Sequence, residues 1–151
     1  MRAAGRHRID VWSYSSADPA RVYELVADGT SWPVWSPLGS FELAEPGEDG
    51  AEGLGAVRVF RTRFPTGQVT SRERIVELVP RRRLSYTLEH GLAIRNYRAD
   101  IDLSPTGAGT TIHWHSTFDS KVPGTGWLYR LALRRFIGQC AHGLARHAAK
   151  S

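Results

Sequence analysis

The strongest signal in the chain is a strict alternation of apolar and polar positions. In residues 95–103, Tyr97, Ala99, Ile101 and Leu103 interleave with Asn96, Arg98, Asp100 and Asp102. A period of two puts these sets on opposite faces of a strand. One face is apolar and the other charged, as in a sheet wetted on one side. Leu84, Tyr86 and Leu88 against Ser85, Thr87 and Glu89 repeat the pattern. So do Ile112, Trp114, Ser116 and Phe118 against His113, His115 and Thr117. Strand composition predicts further strands at 8–15, 39–44, 56–64 and 68–79, with those above spanning 84–90, 95–103 and 110–119. Turn residues punctuate them: Pro46 to Gly50, Pro65-Thr66-Gly67, Pro80-Arg81, Gly91, and Pro105 to Gly109. Short links of this kind favour antiparallel hairpins.

Two other stretches follow a helical period. Asp18 followed by Pro19 is an N-cap with a first-turn proline. The helix it opens runs to about Ala27, with Val22, Leu25 and Val26 on one side, and stops at Asp28-Gly29-Thr30. Residues 31–35 predict a second short helical turn, ended by Pro37. Residues 124–150 lack a proline and repeat Leu128, Leu131, Leu133, Phe136, Ile137, Cys140 and Leu144 at three- and four-residue steps. This is a long amphipathic helix. Gly138 and Gly143 interrupt it, each costing about 1 kcal/mol relative to alanine. They either admit a close neighbour or waste stability. The order is strand, two short helices, six strands, long helix: an α+β architecture read as one domain over 1–151. A sheet wet on one face must cover the other, and the long helix is the element available. Seven strands on one helix must curl, helped by bulges. A curled sheet and one helix do not fill the space between them, which points to a ligand hollow.

Composition narrows the class. Of 151 residues, 41% are apolar and 23% charged, ordinary for a globular domain. No apolar run reaches the roughly 20 residues of a membrane-spanning helix. The basic start MRAAGRHRIDVW has no apolar signal core. The lone cysteine, Cys140, excludes an intrachain disulfide, and the expected compartment is the cytoplasm. Net charge is +5, but the basic residues are scattered. Arg81-Arg82-Arg83 reads as a solvated turn, and no nucleic-acid-binding motif occurs. The expected state is a monomer or homodimer.

Several pieces in order resemble the START-like superfamily of bacterial polyketide cyclase/dehydrase-like proteins, the birch-pollen allergen and the plant abscisic-acid receptors. They are Ala17 to Tyr23 with Ala27-Asp28, Trp32 to Pro37, Gly53 to Arg58, Arg72 to Ile75, Pro80 to Leu84, Asn96-Tyr97, Gly109-Thr110 and Trp114. The resemblance spans nearly the whole chain and implies a helix-grip fold binding apolar small molecules between sheet and helix. It implies that Glu73, Tyr86, Leu88, Tyr97, Ser116 and Phe118 line the pocket. Two departures stand out. The receptors' second strand carries a lysine for a ligand carboxylate; here Phe41-Glu42-Leu43 has none. The turn after the fifth strand is also longer, so an acidic hormone-like ligand is not expected.

Glu73 is the most informative polar residue, because the resemblance turns it inward. A lone inward carboxylate is costly unless paired. It is a ligand anchor, a general acid/base with a raised pKa, or the partner of an arginine such as Arg58. Tyr86 and Tyr97 either orient a ligand oxygen or pack with backbone partners. Trp32 and Trp35 form a lid over the hollow or a packed corner. Trp114 faces inward by parity, and Phe136 and Cys140 lie on the helix stripe. His113 and His115 share a strand face, but zinc needs three or four ligands and no third presents itself, so no metal or cofactor is expected. The site set is therefore Trp35, Glu73, Tyr86, Leu88, Tyr97, Trp114, Ser116, Phe118, Phe136 and Cys140. The function expected is binding of a lipid, polyketide or aromatic compound. The alternatives are a cyclase, aromatase or dehydratase in which Glu73, Tyr86 or Tyr97 moves protons, and a regulator whose loops close over ligand.

Overall fold

The alternating segments become seven strands of one antiparallel sheet in a computed structural model that describes residues 6–150. The strands are β1 (Arg6–Ser15), β2 (Ser40–Glu45), β3 (Val57–Phe64), β4 (Gly67–Val79), β5 (Arg83–His90), β6 (Ile94–Thr106) and β7 (Gly109–Ser120). The helices are α1 (Pro19–Ala27), α2 (Trp32–Trp35) and α3 (Gly126–Ala149), with a 3-10 turn at Gly29–Ser31. The sheet order is β1-β7-β6-β5-β4-β3-β2. β1 and β2 are consecutive in sequence yet form opposite edges. α1 and α2 carry the chain from one edge to the other.

The helix-start signal acts as read. The Asp18 side chain accepts the Arg21 backbone N–H at 2.9 Å, and Pro19 opens α1. Asp18→Ala should cost about 1 kcal/mol in urea unfolding, the usual value of an N-cap. Val22, Leu25 and Val26 are buried beneath the sheet's inner residues.

Bulges supply the curl. Asn96 and Tyr97 together stand opposite Phe118, between the pairs Arg95–Asp119 and Arg98–Thr117. Asn96 has φ 54°, a conformation asparagine tolerates better than most side chains. Glu89 is the extra residue between Arg72–His90 and Glu73–Leu88. Each insertion bends its strand and sharpens the twist.

Most boundaries shift by one or two residues from the sequence reading, and the largest difference is at the end of β6, which runs to Thr106. Pro105 is not part of the turn; it pairs with Thr110 inside the β6–β7 ladder. The Leu103 N–H donates to the Arg82 carbonyl on the β5 side, where pairing ends. The nitrogen of Pro105, two residues on, points to that same vacated side. Its missing N–H therefore breaks no bond.

The wet face is tightly ion-paired. Arg83 holds Asp102 through two bonds of 2.5 and 2.9 Å, and His115 reaches the same carboxylate at 2.6 Å. Arg98 joins Glu77 at 2.7 Å and Asp100 at 3.1 Å. On the other face α3 packs chiefly on β1, where Ser15 donates to the Ala145 carbonyl at 2.8 Å. The apolar stripe of α3 divides. Ile137, Cys140, Ala141, Leu144, Ala145 and Ala148 are buried, but Leu128 and Leu131 are exposed. At 100° per residue they fall on the side away from Leu133 and Phe136.

Candidate functional site

Because α3 leans toward β1, side chains alone must bridge the gap over β3 to β6. They leave a cavity of about 220 Å³. Its walls come from Thr62 and Phe64 on β3, Val69, Ser71 and Glu73 on β4, Tyr86 and Leu88 on β5, Tyr97 on β6 and Trp114 on β7. Trp32 and Leu38 close one side, and Tyr129, Leu133, Phe136, Ile137 and Cys140 of α3 close the top. The aromatic lining is continuous. Tyr86 and Tyr97 have centroids 6.3 Å apart, and Trp32 meets Trp114 edge-on at 5.5 Å.

Glu73 is the charged residue of this wall. It is 8% exposed, and among the described residues its Oε1 has no hydrogen-bond partner. Burial raises its pKa from the ordinary 4.5 to about 7, against the opposing pull of Arg58. Arg58 sits directly across from Glu73 in the β3–β4 register, yet its hydrogen bonds run elsewhere. Its guanidinium, fully buried, donates through Nη1 to the Val26 carbonyl at 3.0 Å and to Glu52 at 3.4 Å, while Nε and Nη2 have no partner among the described residues. It also lies 4.8 Å above the Trp32 ring, a cation–π contact. The Val26 carbonyl belongs to the last turn of α1, where a cation is favoured. Arg58 thus ties α1 to the sheet and leaves the carboxyl free to face the cavity.

Other buried polar atoms lie around it. Trp114 Nε1 is directed at the Tyr86 hydroxyl and Ser116 Oγ at that of Tyr97, in weaker contacts than full hydrogen bonds. Burial pushes the Tyr86 phenol well above its usual range, and Tyr97 and Glu73 add to the effect. Burial does the same to Tyr97 and to the Cys140 thiol, each of which also feels Glu73. At neutral pH these groups are protonated donors around a carboxyl that titrates. Cys140 has no base beside it and acts as a small hydrophobe.

Of the residues singled out in the sequence, Glu73, Tyr86, Leu88, Tyr97, Trp114, Phe136 and Cys140 meet in one wall. Trp35, Ser116 and Phe118 lie behind it. Phe118 is fully buried between Tyr97 and the stacked ring of His7. Trp35 donates to Ser31 Oγ at 2.9 Å, and Trp32 donates to the Val26 carbonyl at 3.0 Å. The two tryptophans form a packed corner, and Trp32, not Trp35, borders the cavity. Their helix is too short for its facing to be read from period alone.

On the wet face the sequence reading needs one correction. A third donor does join His113 and His115: Asp10 of β1, all three within 4.8 Å. It arrives from a strand about 100 residues away in sequence, so spacing gave no sign of it. Asp10 accepts from His113 at 2.7 Å and from Arg8 at 2.8 and 3.0 Å. Arg8 first, then His113, holds its carboxyl down at about 2. The cluster is occupied as an ion-pair network.

Residues 6–149 match the family described as polyketide cyclase / dehydrase and lipid transport. The chain belongs to that family. No curated protein is significantly similar to it. Among solved structures, it is similar to a START superfamily protein from Mycobacterium smegmatis, with TM-score 0.81 and 13% identity over 95% of this chain and 98% of that one. It is also similar to Ara h 8.0201, with TM-score 0.76 and 18% identity over 97% of this chain and 100% of that one. A ginseng major latex-like protein from Panax ginseng gives TM-score 0.70 and 16% identity over 95% and 97%. At these identities the likeness concerns the helix-grip fold. Among the described residues no helix is long and apolar enough to cross a membrane.

Proposed function

We propose that the chain binds a small, largely apolar molecule with one polar group, held in the cavity with that group at Glu73. The observation that carries this reading is an aromatic hollow containing a single buried carboxyl without a partner. Volume sets the scale. An apolar cavity of about 150 Å³ accepts benzene. A hollow of about 220 Å³ suits a compound of one or two rings, or a short lipid or polyketide segment. The test is native mass spectrometry of freshly purified protein, with extraction of any bound compound. Leu133→Trp, which fills the hollow from α3, should abolish the bound mass while leaving the melting temperature unchanged or higher. A ligand-free mass for both proteins, with no displacement of an apolar fluorophore, would overturn the reading.

A second reading has its own observation. A carboxyl with a pKa of about 7 is matched to proton transfer near neutrality, typically worth about 10²–10⁴-fold. Tyr86 and Tyr97 beside it can donate to a developing oxyanion. This favours a cyclase-, aromatase- or dehydratase-type reaction on the bound compound. Glu73→Gln separates the two readings: a carrier keeps its cargo unaltered, whereas an enzyme accumulates substrate in place of product.

A further inference from the structure

The first three turns of α3 are apolar on both sides. Tyr129, Leu133 and Phe136 turn inward and line the cavity. Trp127, Leu128 and Leu131 turn outward and are 53%, 54% and 57% exposed. Val122, just before the helix, is exposed as well. This segment is also the basic end of the chain. Residues 121–151 hold six of the 20 lysines and arginines and none of the 15 acidic residues. Arg130, Arg134 and Arg135 flank the exposed apolar side chains. The helix start is fixed in this pose. A Cβ at the buried Gly126 would collide with the His7 ring and Ser120 Oγ, so the first turn sits tight against β1 and β7. Phe64, partly exposed at the end of β3, lines the same cavity.

An exposed tryptophan and two leucines bordered by arginines, in a segment without an acid, match the interfacial region of an anionic bilayer. The arginines meet lipid phosphates while the tryptophan and leucines enter the headgroup–acyl boundary. We infer that this face of α3 docks the protein on anionic membrane surfaces. A second copy of the chain fits less well, because a two-fold interface would set these arginines against each other without a counter-charge.

The docking face and the cavity ligand are read separately, since vesicle cosedimentation reports the face and native mass spectrometry the cavity. The full chain should sediment with phosphatidylcholine vesicles containing phosphatidylglycerol, weakly with phosphatidylcholine alone, and less as salt rises. W127A/L131A should weaken partition by at least about tenfold. R130E/R134E should weaken it by about fivefold or more per charge. All four side chains lie on the exposed face, so circular-dichroism melting should be unchanged. If the apolar pair proves unstable, the arginine pair carries the test. Equal partition of wild type and variants, or no association with anionic vesicles, would overturn the inference. So would a concentration-dependent dimer in sedimentation velocity that W127A/L131A abolishes.

Discussion

Gly143→Ala should destabilise the protein by about 3 kcal/mol, whereas Gly138→Ala should stabilise it by up to about 1 kcal/mol. Both glycines lie inside α3, where glycine is normally a cost. Their surroundings are opposite. A Cβ at Gly143 would land on the Trp35 carbonyl oxygen, a backbone atom that cannot rotate away. At Gly138 the same atom would meet nothing within 4 Å. The first substitution must push α3 off the corner formed by α2. Trp32 packs 4.9 Å from Trp35, so the wall of the cavity moves with it. Gly143→Ala should therefore also reduce ligand retention, and Gly138→Ala should leave it intact. Urea midpoints for the two variants provide the measurement. Shifts of the same sign would show that helix propensity, not close approach, governs both positions.

Those glycines also mark where sequence reasoning stops. Two identical residues on one predicted helix have opposite roles, and only the packing of α2 against α3 separates them. The inward wall of the sheet was legible, because a period of two assigns Tyr86, Leu88, Tyr97 and Trp114 to one face without tertiary information. Glu73 was placed inward by family resemblance, and its register partner Arg58 was available as a neighbour. That Arg58 turns to Val26 and Glu52 depends on where α1 ends in space, which no local pattern encodes. The bulge at Asn96 and Tyr97 escaped notice because inserting one residue leaves composition unchanged. Asp10 joined the histidines only when β1 paired with β7. The apolar stripe of α3 shows a related limit. Three- and four-residue spacing does not separate buried Leu144 from exposed Leu128 and Leu131; exposed leucines are common, and only their concentration beside Trp127 distinguishes these.

Glu73→Gln should make the protein more stable than wild type above neutrality, by about 3 kcal/mol at about pH 8, and nearly equal to it at about pH 4. The sign follows from burial. The unfolded carboxyl ionises near 4.5, but the folded one holds its proton to about 7. Between those values the folded state binds more protons, so stability falls as pH rises. Glutamine keeps the shape and removes the ionisation. The gap between the two proteins should therefore open across that window and stay constant above it. Urea unfolding at a series of pH values measures it, and a pH-independent gap would show that Glu73 titrates as an ordinary surface acid. The same proton reports on the ligand. A compound that accepts a hydrogen bond from the neutral acid, such as a ketone, should bind more weakly above pH 7. One that donates to the carboxylate, such as a phenol, should bind more tightly there. Linkage requires each to shift the titration of Glu73 in the corresponding direction, up for the acceptor and down for the donor. The pH dependence of affinity thus identifies the chemistry of the ligand's polar end even before the compound is known.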